Sequence, residues 1–172
     1  TTSTSRTDQH IHQLVIRAKR AVFPDGIRPA VVVVDDERIT ALLEDGAAVE
    51  AREEIVVPDD QVLMPGLVDS HVHVNEPGRT PWEGYESATR AGLAGGITTI
   101  LDMPLNSSPA TTTVANLETK MASTTGRLSV DVGFWGGAVP GNIDQLAPLW
   151  DRGVFGFKCF TAHSGLDEYG YL

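Results

Sequence analysis

The 172-residue chain carries a net charge of −10 and 41% hydrophobic residues, ordinary for a globular protein with a buried core. With a sequence pI of about 4.8 it lacks the clustered Lys and Arg that nucleic acid or an anionic membrane surface would require. Its one cysteine, Cys159, excludes an intrachain disulfide and suits a reducing, cytoplasmic setting; no apolar run approaches membrane-spanning length, and Thr1–Thr7 has no apolar segment of the secretory-signal kind.

Residues 1–11 are polar and small, the composition of a disordered tail. His10-Ile11-His12 falls here, and its spacing reads as solvated tail or the first residues of an edge strand rather than a metal pair. From 12 to 64 short β-type runs alternate with turn chemistry. Leu14–Ile16 and Ala21–Phe23 precede the turn Pro24-Asp25-Gly26, and Val31–Val34 is a dense β-branched strand. Asp35-Asp36-Glu37 turns that strand into Arg38–Leu43 as a hairpin, and Glu44-Asp45-Gly46 ends it. The charged run Glu50–Glu54 reads as a solvated turn before a short strand at Ile55–Val57. The expectation is a small all-β domain over 12–64, sandwich-like, built of hairpins.

The period changes after Met64-Pro65-Gly66. Over 65–172 strands and helices alternate, the signature of βα units around a parallel sheet. A strand runs to His73. Thr80-Pro81-Trp82-Glu83 has the form of a capping box, starting a helix with Trp82, Tyr85, Thr89 and Leu93 on one face and Gly95-Gly96 at its end. Ile97–Leu101 is the next strand, closed by Asp102. A helix carrying Val114, Leu117 and Met121 follows, then a strand over Leu128–Phe134. Asn142 is placed to cap a third helix with Ile143, Leu146 and Trp150 on one face, shortened by Pro148. Val154–Phe160 is the fourth strand, and 163–172 is loop. The fold class is α/β: about the first four βα units of a TIM-type (β/α)8 barrel, preceded by the small β domain.

Side chains two apart along a strand share a face, so Asp69, His71 and His73 point one way, with Leu67 further back, while Val68, Val72 and Val74 face apolar packing. Two imidazoles side by side make half of a zinc-type site, or two histidines hydrogen-bonded in a core. Lys158 lies mid-strand among Phe155, Phe157, Cys159 and Phe160. Either this is an edge strand with its ammonium in water, or the amine is neutral enough to react with carbon dioxide, giving an anionic carbamate able to bridge two cations. In an α/β barrel the C-terminal strand ends share one mouth, which would bring Lys158 to His71 and His73. Asp102 also ends a strand, with no role beyond loop hydrogen bonds. His163 reads as a surface loop residue, and Gly95-Gly96 and Gly136-Gly137 lack a phosphate-loop pattern.

The motifs His71-Val-His-Val-Asn-Glu-Pro-Gly-Arg-Thr80, Trp82-Glu-Gly-Tyr85, Ala94-Gly-Gly-Ile-Thr-Thr99, Asp102-Met-Pro-Leu-Asn-Ser107, Val132-Gly-Phe-Trp-Gly-Gly137 and Gly156-Phe-Lys-Cys-Phe160 together resemble the cyclic amidohydrolases of the amidohydrolase superfamily. Dihydroorotases, hydantoinases and allantoinases form this group, and the pattern is most similar to the allantoinases. Asn75 stands where dihydroorotases carry a carboxylate-gripping arginine, and Leu105 where they carry a substrate-contacting asparagine; allantoin has no carboxylate.

The resemblance implies metal-dependent hydrolysis of allantoin to allantoate, with His71 and His73 on one metal and Lys158, as N6-carboxylysine, bridging two divalent ions, zinc being the first choice. It implies a small-molecule substrate, a homo-oligomer (a tetramer), and two further histidines and an aspartate on later strands. The chain is thus expected to be an N-terminal portion, inactive alone and without its catalytic aspartate. Dihydroorotase, hydantoinase, or a non-catalytic assembly module of the same fold are the alternatives.

Overall fold

The structure is a computed structural model and describes residues 11–172. The chain divides at Pro65 and Gly66 into two units. The expectation of a disordered tail over 1–11 falls, apart from the exposed Ile11, outside the described residues, as does His10.

The first unit is one four-stranded sheet. β1 (His12–Phe23), β2 (Gly26–Asp35), β3 (Arg38–Leu43) and β4 (Ala51–Val56) lie in the order β3-β2-β1-β4. β1–β2 and β2–β3 are antiparallel hairpins, and β4 joins β1 in parallel. The β2–β3 turn places Asp36 at φ 49° and Glu37 at φ 62°, the left-handed pair whose twist matches the flanking strands. Ala30–Val33 is buried throughout because β2 is an inner strand. Val15, Val31 and Val33 form one core with Ala41, Ala47, Val49 and Ala51 around it. β1 is continuous where two runs were expected, with an irregularity between Ala18 and Ala21.

The charged run Glu50–Glu54 is not a turn. It forms most of β4, an edge strand whose backbone pairs with β1 while Arg52 to Val56 stay exposed. Charged side chains on an edge discourage pairing with another chain and need no burial. His12 opens β1, an inner strand rather than an edge, and its Nδ1 lies 2.6 Å from Asp35 Oδ2.

In the second unit β5 (Leu67–Val72), β6 (Ile97–Asp102) and β7 (Asp131–Phe134) form a parallel sheet in chain order, and β8 (Gly136–Gly137) and β9 (Phe157–Lys158) form a second parallel pair. α1 (Tyr85–Ala94) joins β5 to β6, α2 (Val114–Ser123) joins β6 to β7, and α3 (Ile143–Asp151) joins β8 to β9. Sequential parallel strands with helical crossovers are the wall pattern of a (β/α) barrel. The fold is a partial α/β domain of that kind, as the sequence implied.

Several local expectations are corrected. α1 starts at Tyr85, not in the Thr80–Glu83 box, because Glu76 reaches its first turn: Glu76 Oε2 accepts from the Tyr85 N–H at 2.9 Å. Trp82 and Leu93 are exposed, and the buried face is Tyr85 and Thr89. Val68 is 62% exposed, not turned into apolar packing, on β5 at the edge of its sheet. On α3 the buried residue is Leu149, packed with Leu117 and Val154, while Ile143 and Trp150 face solvent. Pro148 does not shorten α3, which runs through it to Asp151. Asn142 sits at the N-cap but makes no side-chain cap; it accepts from Val139 N–H and donates to Thr112 and Gly137 carbonyls, tying three loop segments together. The fourth strand is only Phe157–Lys158.

Candidate metal centre

β5 carries Asp69 and His71 to the carboxyl end of the sheet, and His73 follows directly. The two imidazole centroids are 5.3 Å apart and inclined by 46°. Lys158, the last residue of β9, comes to the same end: its Nζ lies 3.4 Å from His71 Nε2. The three predicted site residues, separated by up to 87 positions in sequence, are therefore brought together. His163 is elsewhere, an exposed loop residue whose Nδ1 accepts from Gly165 N–H. His12 belongs to the other unit.

Burial sets the electrostatics. His73 is held below its ordinary pKa first by burial, then by the charges of Lys158 and His71. The Leu105 backbone and the Asp102 carboxylate oppose that shift, and among the described residues the buried His73 Nδ1 has no side-chain partner. Burial likewise pulls Lys158 below the usual lysine value. No carboxylate pairs with it among the described residues; its other neighbour is the Phe160 ring, 5.1 Å from Nζ to centroid. For His73 and Lys158 these shifts favour the neutral forms, which are the ones able to donate to a cation. Among the described residues no three His, Cys, Asp or Glu side chains gather as a metal site. The imidazole donors suit a borderline divalent cation.

Backbone ties hold the rim in place. Asp69 Oδ1 accepts from His71 N–H at 3.1 Å. Trp135 donates its indole N–H to Ser70 O at 3.1 Å, and its ring lies against Gly156, where any Cβ would collide. Tyr169, buried and edge-on to Phe160, donates its hydroxyl to Lys158 O at 2.7 Å. Arg79, in the loop after the histidines, pairs with Glu168, next to Tyr169.

One buried cluster went unread in the sequence. Asp102, expected to make only loop hydrogen bonds, is fully buried and ion-paired to Lys120 of α2, also fully buried, at 2.7 Å. Tyr85 donates to the same carboxylate at 2.7 Å. The available signal was Lys120 itself: three residues after Leu117, it sits on the apolar face of α2.

Comparison with known proteins places this geometry. The amidohydrolase family profile matches residues 62–167. The chain is 56% identical over 160 residues to the allantoinase of Streptomyces avermitilis, covering 93% of this chain and 36% of that one. It is 46% identical over 158 residues to the mitochondrial allantoinase of Aquarana catesbeiana, covering 92% and 33%. Among solved structures, the L-hydantoinase of Arthrobacter aurescens superposes with a TM-score of 0.87 at 32% identity, over 94% of this chain and 36% of that one. The chain thus spans about a third of the length of the curated relatives it matches. Over that third, profile, relatives and fold agree, and the chain belongs to the amidohydrolase family.

Proposed function

We propose that this chain supplies the two-histidine and lysine side of a two-metal centre in a hydrolase that opens the cyclic amide of allantoin to give allantoate. The observation that carries the reading is the meeting of Lys158 Nζ with His71 Nε2 at 3.4 Å, beside the buried Nδ1 of His73, which has no side-chain partner among the described residues. Bound divalent cations, zinc first, would supply Lewis-acid polarisation of the ring carbonyl and a lowered pKa for an attacking water. His71 and His73 would hold one cation through neutral ring nitrogens.

Lys158 does its part after modification. The neutral amine nitrogen attacks the carbon of carbon dioxide, an N–C bond forms, one C=O electron pair moves to oxygen, and a nitrogen proton is lost to water. The product is a carbamate anion, whose two oxygens would be donors for bound cations. Burial of Lys158 without a carboxylate partner favours the neutral amine this step needs. Tyr169 and the Phe160 ring hold the β9 end so that the group stays aimed at the histidines. Three donors do not fill the coordination of two cations, so further donors complete the centre. The exposed free thiol of Cys159 suits a reducing, cytoplasmic location, and among the described residues no helix is long and apolar enough to cross a membrane.

The test is a side-by-side assay of the complete protein, supplied with zinc and bicarbonate, on allantoin, dihydroorotate and hydantoin. Allantoate release well above the other two products is expected. Preference for hydantoin would move the assignment toward the hydantoinases, whose fold it shares; no hydrolysis of any of the three would sink it. The 172-residue chain alone is expected to release no allantoate under the same conditions.

A further inference from the structure

The Lys120–Asp102 pair takes no part in the chemistry above, although the Asp102 charge reaches His73. Both side chains are fully buried. Removing two charges from water is expensive, and apolar residues of similar volume often stabilise a core as well or better. Core stability alone is therefore a poor reason for the pair, and its contacts suggest another. Asp102 Oδ1 accepts from Val74 N–H at 2.8 Å, while Tyr85 and Lys120 hold Oδ2. Lys120 Nζ also donates to Met103 O at 2.8 Å, and Met103 N–H donates to Val72 O at 2.8 Å. The cluster thus grips the backbone on both sides of His73, through Met103 at Val72 and through Asp102 at Val74. His73 needs that grip. Metal-binding histidines are usually oriented by a hydrogen bond to the second ring nitrogen, and among the described residues the buried Nδ1 of His73 has no side-chain partner, the Leu105 backbone being the hydrogen-bonding neighbour of the ring.

We infer that Lys120, Asp102 and Tyr85 form a positioning cluster for His73, fixing through the backbone a ring that no side-chain partner orients. The inference rests on the reading of His73 as a cation donor. A donor displaced by about half an ångström loses much of its value to a preorganised site.

The experiment measures two quantities on the complete protein: zinc affinity by chelator competition, and hydrogen exchange of the backbone over residues 72–76. Lys120→Met is expected to speed exchange at Val74 and weaken zinc binding about 10- to 100-fold, the range for outer partners of a metal site. Tyr85→Phe removes a single hydroxyl and leaves the ion pair, so it reports even if Lys120→Met fails to fold; it should move both readings the same way by a smaller amount. Faster exchange at Val74 with unchanged zinc affinity in Tyr85→Phe, or in a folded Lys120→Met, would overturn the inference while leaving the metal reading intact. Failure of the unsubstituted protein to bind zinc would overturn both.

Discussion

The interior around Lys120 and the rim around Lys158 treat a desolvated ammonium in opposite ways. Lys120 has no exposed surface, and a carboxylate, a carbonyl and a neighbouring phenol complete its surroundings. Burial pulls its pKa down while Asp102 pushes it back up. Lys158 is also pulled down by burial, but nothing restores it: its neighbours are an imidazole and an aromatic face. A compensated lysine is inert architecture, whereas an uncompensated one sheds its proton more easily and becomes a nucleophile.

Substitution by methionine at each position should separate the two roles. Lys158→Met is expected to reduce hydrolysis by the complete protein more than about 100-fold, beyond the range for outer partners of a metal site, yet to leave stability within about 0.5 kcal/mol, since no ion pair is lost. Lys120→Met should lower unfolding stability by about 3–5 kcal/mol, measured by urea denaturation, because it strands a buried carboxylate. Equal stability losses at the two positions would erase the contrast.

Gly156→Ala probes the rim without touching a charge. The added methyl meets the Trp135 ring and should cost about 1–3 kcal/mol by overpacking.

The pH dependence of Lys158 is subtler. Its folded pKa lies below 10.5, so folding disfavours the charged amine. That penalty is present at low pH, fades as pH rises through the depressed value, and is gone above 10.5. Carbamate formation, followed by the carbon-13 signal of labelled bicarbonate, should therefore respond to pH with an amine midpoint below 10.5. The smallest effect belongs to the other unit. Asp35, held at about 2 chiefly by the His12 hydrogen bond, contributes stability that is present above its unfolded value of 3.8 and lost as pH falls toward 2. Asp35→Asn should flatten that part of the acid-unfolding curve.

The nearness of the two imidazoles was legible in the sequence because period-two alternation is a local rule, and their rings do lie 5.3 Å apart although β5 is irregular between Asp69 and Val72 and ends before His73. Lys158 was legible because a lysine between phenylalanines violates burial preferences. The interior cluster was not, because Asp102, Lys120 and Tyr85 meet only after three elements pack, and each residue alone reads as cap, surface or core. The errors in the fold share that origin. Glu76 capping α1 from nine residues away displaced a local capping signal that was present but unused, and the charged run of β4 was strand because its backbone found β1. Val68, expected to face apolar packing, is exposed on a strand whose pairing is irregular on either side of it.

The contact between Trp135 and Ser70 has an optical use. Of the chain's three tryptophans, Trp82 and Trp150 are 71% and 60% exposed, and only Trp135 is partly enclosed, with its indole N–H donated to the carbonyl of Ser70, the residue before His71. Its emission should sit to the blue of the other two. Any rearrangement of that strand would register as a change in intrinsic fluorescence, so the molecule can be followed during ion loading without a dye.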